Sequence, residues 1–448
     1  MSLAGNENAR FAPEPADLLL FNGTVLVMDQ DDTRFSPGAV AVGDGRILAA
    51  GPSEEVVARY EAARKLDVSG CVVLPGLVNA HTHAAMTLFR GLADDLPLMD
   101  WLQSHIFPAE AKLTQEWVYR GTLLACAEMI LSGTTTFCDM YLFEHKVAQA
   151  ARDAGMRALV GEVLYDFPSP HYGKVENGLK FTEDLIRRWQ GDPLVRIAVE
   201  PHSAYTCSPD LLEKCGDLAR RCNVPLVIHL SESEAEVEQV RERYGVRPVK
   251  HLANLGLLSE NLVADHCVAL DREDMALLAE HRVQVVHNPE SNMKLASGIA
   301  PVSRLLELGV DVALGTDGCA SNNDLDLFEE MDSCAKLHKA ATLDPTVLPA
   351  STVLAMATCG GAKALGLEGR IGRLTPGSWA DCIAVDFKKP HLCPVYDPVS
   401  HLVYAARGGD VIHSVIGGRL VMENRQLLTL DVNEVMSHAR ELANIVRS

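Results

Sequence analysis

No stretch of the 448-residue chain runs apolar and uninterrupted for the roughly 20 residues that a bilayer crossing requires, so a membrane-spanning helix is not expected. The opening run MSLAGNENARFAPEPAD lacks the apolar core of a secretory signal, and its polar, Pro-containing make-up predicts a flexible segment over residues 1–16. C-x-x-C spacing is also absent. The 12 cysteines are scattered, mostly in apolar segments, which predicts reduced core thiols and a cytoplasmic location rather than a disulfide framework. Cations are scarce: 40 Lys and Arg stand against 60 Asp and Glu, a net charge of −20. Such a chain repels nucleic-acid backbones and anionic bilayers, so neither is expected as a partner. Internal repeats and low-complexity tracts are missing as well.

What is present suits a large enzyme. The length exceeds an ordinary single domain but fits one barrel with a smaller attached unit, and a hydrophobic content of 48% supplies an extensive core. Asp17 to Asp29 and Gly38 to Gly51 are short β-type runs with hairpin signals at Asn22-Gly23 and Asp44-Gly45. Similar runs return from Ala380 and Val411, and two sets of orphan strands at opposite chain ends can pair. Between them, apolar strand candidates alternate with amphipathic helical stretches, the pattern of successive β-α units. Strands are predicted over 71–79, 134–140, 157–164, 195–200, 224–229, 262–266, 283–287 and 311–315. Eight of them predict an α/β fold: a (β/α)₈ TIM barrel over 71–370, a small β-sandwich domain built from 17–70 and 371–430, and a C-terminal helix over 431–448.

In a barrel of this kind, active sites gather at the carboxyl ends of the strands. The predicted strands end in His81 and His83, Asp139, Glu162, His202, His229, His266, His287 and Asp317, which places six of the sixteen histidines at or just beyond strand ends. One such histidine is more often a satisfied core residue than a ligand. A whole ring is hard to explain that way, because each would need its own buried partner. His81 and His83 in PGLVNAHTH stand two apart on an extended segment and so point to one face. By themselves they read equally as metal ligands or as hydrogen-bonded turn residues.

The motifs PGLVNAHTH at Pro75, HLSE at His229, ADHC at Ala264, HNPESNMKLASG at His287, GTDGCASNNDLD at Gly315 and GRIGRLTPGSWAD at Gly369 together resemble the amidohydrolase superfamily. The resemblance covers almost the whole chain and is specifically to the adenosine-type deaminase branch acting on 5′-methylthioadenosine and S-adenosylhomocysteine. It implies metal ligands at His81, His83, His229 and Asp317, and one divalent metal ion per subunit, zinc first among candidates. Three imidazoles and a carboxylate suit zinc and leave room for a water made more acidic by the ion, though the donors alone do not exclude iron or another divalent ion. Binuclear relatives carry a lysine at the end of the fourth strand; VEPHSAY has His202 instead, so one metal is expected.

The same resemblance makes Glu232 the proton shuttle and gives His266 and Asp317 the task of orienting the nucleophile. The reaction this implies is addition of water to C6 of an adenine ring, protonation of N1 by Glu232, and loss of ammonia from the adduct to give the 6-oxo product. The H-x-E plus P-C-x-x-C signature of cytidine-type zinc deaminases is absent. Without the preceding His229, Glu232 would read as a solvated acid in the run ESEAEVE. Glu110 matches the family's ribose-binding carboxylate and His202 a residue near purine and sugar, while Trp101 and Phe107 are candidates for the 5′ wall. Family members that process S-adenosylhomocysteine well hold its carboxylate with arginines after the third strand. No arginine occurs between Arg157 and Arg187, and Lys174 and His171 lack the planar fork of a guanidinium. The expected substrates are therefore 5′-methylthioadenosine, adenosine and 5′-deoxyadenosine before S-adenosylhomocysteine. Two alternatives remain: a deaminase or hydrolase of guanine, cytosine, pterin or triazine, and a metal-binding scaffold without activity. Family resemblance also implies a homo-oligomer.

Overall fold

The structure, a computed structural model, describes residues 12–96 and 102–447. Trp101 and most of the expected N-terminal segment lie outside the described residues. At the centre, parallel strands follow one another in chain order: Leu77–Thr82, Thr134–Tyr141, Arg157–Leu164, a fourth in two pieces (Val195–Ile197 and Glu200–Pro201), Leu226–Leu230, Leu262–His266, Gln284–His287 and Val312–Leu314. Parallel bridges between Val199 and Leu226 and between Ser203 and His229 join the fourth strand to the fifth. The ring closes where the Asp317 N–H donates to the His81 carbonyl at 3.0 Å. This is the expected (β/α)₈ arrangement, its strands buried on both faces as a parallel sheet covered by helices must be. The helix Val432–Arg447 packs against Gln115–Leu131 on the outside.

The strands of the two chain ends form one hydrogen-bonded sheet of nine, among them Glu14–Leu26, Arg34–Gly43, Cys71–Pro75, Cys382–Asp386 and Val411–Ile416. Successive residues of its first strand serve opposite faces: Leu18 and Leu20 enter one apolar cluster and Leu19 another.

One apolar run divides where a single strand was expected. Cys71–Pro75 pairs with Thr24 and Val25 and with Cys382–Asp386 in the end sheet, whereas Leu77–Thr82 begins the barrel. Gly76 makes the transition because a Cβ there would lie 2.1 Å from Thr135 Oγ1. The two units are tied by a buried bidentate pair. Arg157 Nε and Nη2, at the start of the third barrel strand, donate to Asp381 Oδ2 and Oδ1 at 2.7 and 3.0 Å, and Trp379 stacks under the guanidinium at 4.1 Å.

Candidate active site

The first strand delivers His81 into the core, fully buried, and His83 follows at the start of a 3₁₀ turn over Ala84–Phe89. Asp139, at the end of the second strand, secures that turn by accepting from Thr82 Oγ1 at 2.7 Å and from the Ala84 N–H at 2.5 Å. His229 arrives on the fifth strand. His81 lies 4.9 Å from His83 and 5.0 Å from His229 between ring centroids, both edge-on. One ligand atom from each of these three lies within 4.8 Å of the other two, and the same holds for His81, His266 and Asp317.

Hydrogen bonds on the far side of each ring decide which nitrogen faces inward. His83 Nδ1 donates to the Met140 carbonyl at 2.5 Å and His229 Nδ1 to that of His202 at 2.9 Å, so each keeps a bare Nε2. His81 Nδ1 lies 3.0 Å from Asp265 Oδ2, but neither ring nitrogen of His81 makes a hydrogen bond of good geometry. Asp317 adopts a left-handed backbone, φ 61°, that turns its carboxylate back toward the histidines. Its Oδ1 lies 3.1 Å from His83 Nε2 and 3.6 Å from His81 Nε2, while Oδ2 accepts from Ser291 Oγ at 2.6 Å and Ser321 Oγ at 2.9 Å.

Burial disfavours charge on His81, yet Asp265 and Asp317 outweigh it and raise the imidazole to about 10. Burial likewise opposes ionisation of Asp317, and the adjacent imidazoles of His81 and His83 still hold it well below the usual carboxylate range. His229, by contrast, is held well below the ordinary imidazole range by burial and the neighbouring histidines, and so is neutral. The donors of the centre, three imidazoles and one carboxylate with an orphaned buried Nε2 among them, fit a divalent metal ion.

Around this centre lies a cavity of about 510 Å³. Glu232, on the loop after the fifth strand, lines it together with His83, His229, His266 and Asp317. The loop is fixed by the buried Glu236, whose carboxyl oxygens accept from the N–H groups of Ser231 at 3.1 Å and Glu232 at 2.7 Å. Burial pushes Glu236 up to about 8. His266, at φ 70°, donates from Nδ1 to Asn292 Oδ1 at 2.9 Å, which leaves Nε2 available. Glu110, on the short helix Phe107–Glu110, accepts from the Tyr141 hydroxyl at 2.7 Å and lines the same cavity. His202 is oriented by Ser203 Oγ and Thr206 Oγ1 at 3.1 and 3.0 Å; burial and the neighbouring histidines lower it to about 4, so it is neutral.

Of the expected site residues among the described ones, His83, Glu110, His202, His229, Glu232, His266 and Asp317 line this cavity, and His81 lies buried against His83 and His229 without lining it. Glu162 and His287, also expected at strand ends, do not line it: Glu162 accepts from His171 Nδ1 at 2.7 Å, and His287 turns to His338. Sequence reasoning missed Asp265, Ser291, Ser321, Asn292 and Glu236. The first four lie inside the quoted motifs, yet their partners are distant in the chain, and nothing local marks Asp265 as facing His81. Phe107 lines the cavity as expected, and beyond it the wall continues in Tyr165 and Phe167, stacked at 3.9 Å and 12°. Among the described residues, no lysine or arginine lines the cavity.

Comparison with known proteins gives three kinds of match. The sequence profile of the amidohydrolase family matches residues 72–421. A 5-methylthioadenosine/S-adenosylhomocysteine deaminase of Syntrophobacter fumaroxidans is 73% identical over 432 residues, 96% of this chain and 99% of that one. A 5′-deoxyadenosine deaminase of Methanosarcina mazei is 49% identical over 430 residues, covering 96% and 98%. Among solved structures, an adenosine deaminase from Xanthomonas campestris with bound zinc superposes with a TM-score of 0.96 at 41% identity, covering 97% of this chain and 100% of that one.

Proposed function

The chain belongs to the amidohydrolase family, and from that premise we propose that it is a hydrolytic deaminase of adenine nucleosides carrying one catalytic zinc ion, held by His81, His83, His229 and Asp317. The observation that carries this reading is the convergence of His83, His229 and Asp317 with Glu232 and His266 on a single cavity that also presents Glu110, with the buried His81 clustered against His83, His229 and Asp317. When bound, the ion supplies an acidified water as nucleophile. Everything else falls to the protein. Glu232 takes the water proton and returns it to ring N1, which makes the ring a better electron sink for attack at C6. His266, its tautomer set by Asn292, presents a bare Nε2 that accepts a hydrogen bond from the attacking water and orients it. Asp317, restrained by two serine hydroxyls, keeps its orientation as charge shifts. Loss of ammonia from the tetrahedral adduct gives the inosine-type product.

Glu110 accepts from the ribose hydroxyls, a reason for a nucleoside over a free base. His202 stays neutral near the purine and sugar, where a cation would be costly. The 5′ end meets the Tyr165–Phe167 stack and, among the described residues, no cationic side chain, which supports 5′-methylthioadenosine, adenosine and 5′-deoxyadenosine over S-adenosylhomocysteine. Homo-oligomerisation and a cytoplasmic setting belong to the same proposal, the latter supported by twelve unpaired cysteines. The test is ammonia release from the zinc-loaded protein against these nucleosides, guanine and cytosine. Turnover of the uncharged adenosines is expected; turnover of a free base alone overturns the nucleoside assignment.

A further inference from the structure

His287, the last residue of the seventh barrel strand, faces away from the catalytic cavity into a fully buried pocket of the core shared with Cys334 and His338. Cys334 and His338 are one turn apart on the helix Leu327–Thr342 and so share a face. The two imidazoles meet Nε2 to Nε2 at 3.1 Å. Ligand atoms from all three residues lie within 4.8 Å of one another. His287 Nδ1 is buried without a hydrogen-bond partner, so neither tautomer of that ring is satisfied by protein groups. Two nitrogens bonded to one zinc-like ion at tetrahedral angles stand about 3.3 Å apart, close to the spacing observed. Burial holds both rings neutral, His338 at about 4 and His287 well below the ordinary range, and neutral imidazole is the ligand form.

We propose that His287, Cys334 and His338 form a second metal site, structural and separate from the catalytic centre, for a thiophilic d¹⁰ cation: zinc(II) or copper(I). Two imidazoles and a thiolate are soft donors that select such ions. With copper(I) the site is neutral overall, which suits its depth. With zinc(II) one positive charge remains, and the buried Glu330 lies one turn before Cys334 on the same helix. Either ion ties the helix Leu327–Thr342 to a strand end adjoining Asn288, Ser291 and Asn292, the segment that restrains Asp317 and His266.

The deciding property is sulfur, because the catalytic set contains only nitrogen and oxygen donors. Full-length wild type and Cys334→Ala are loaded with zinc(II), copper(I) or cobalt(II), and metal content and absorption are measured. Wild type is expected to hold two equivalents of zinc(II) or of copper(I), and Cys334→Ala one fewer. Cobalt(II) should give a thiolate charge-transfer band that the variant lacks while it keeps the bands of the catalytic centre. A gain with one of the two d¹⁰ ions only identifies the resident ion. Saturation of wild type at one equivalent with both, or persistence of the thiolate band in Cys334→Ala, overturns the site. Should the variant fold poorly, X-ray absorption of the two-equivalent wild type decides: a sulfur scatterer at about 2.3 Å is expected, and a purely nitrogen and oxygen shell refutes the assignment. These readouts do not depend on deaminase activity, so failure here and failure of the proposed function are separable.

Discussion

His81 Nδ1 sits 3.0 Å from Asp265 Oδ2, both residues completely buried, although they arrive on the first and sixth barrel strands. In the proposed metal site, Asp265 would orient the ligand His81 from behind and raise its basicity. Asp265→Asn should weaken metal binding about 10- to 100-fold, the usual effect of removing a carboxylate behind a ligating histidine. Competition with a chelator measures it, and unchanged affinity would remove Asp265 from this role.

Glu232 is assigned to proton transfer and is absent from the proposed ligand set. Glu232→Gln should lower kcat by about 10²- to 10⁴-fold while leaving bound zinc at the wild-type level. Loss of the metal in this variant would instead make Glu232 a ligand. Activity and metal content measured on one preparation separate the two.

The cavity wall assigned above to the 5′ end offers aromatic rings and, among the described residues, no cation. The specificity constant for 5′-methylthioadenosine should therefore exceed that for S-adenosylhomocysteine, whose carboxylate would be desolvated without a partner. Steady-state kinetics on both substrates decide the matter, and the reverse order sinks the assignment.

Glu236 has a folded-state pKa of about 8 against an ordinary value of 4.5. Between those values the folded chain holds a proton that the unfolded chain has lost, so stability falls as pH rises through this window, by about 1.4 kcal/mol per unit at most. The contribution is fully present below the unfolded value and gone above about 8. Glu236→Gln cannot ionise and should show a shallower decline between those limits in denaturant titrations. Parallel profiles for the two proteins would contradict the shift.

Arg157 and Asp381 form the buried link between barrel and end sheet. Arg157→Ala leaves the Asp381 carboxylate buried with only the Gly417 N–H, 2.6 Å from Oδ1, still donating to it. A loss of about 3–5 kcal/mol in unfolding free energy is expected from chemical denaturation. A change within experimental error would mean that water replaces the guanidinium.

Much of the site was legible before any coordinates because its ligands fall where strands end, and strand ends can be read from where apolar runs stop. The four expected ligands, Glu232 and His266 meet as their positions implied. The division of the run from Cys71 at Gly76 was not legible: a continuous apolar run carries no mark of which sheet each half joins, and the reason, the closeness of Thr135, lies on another strand. Trp101 lies outside the described residues.

By itself the sequence determined the alternation of strands and helices and the donor types available at the strand ends, because periodicity and side-chain chemistry are local properties. Tertiary structure alone decided which of those residues share a site. In a regular strand Asp265 and His266 would point to opposite faces. The left-handed backbone at His266 breaks that alternation and brings both to one centre, whereas His287, at a strand end like theirs, turns toward His338. Closure of the barrel sets these choices, since only when the eighth strand meets the first does Asp317 come against His81 and His83.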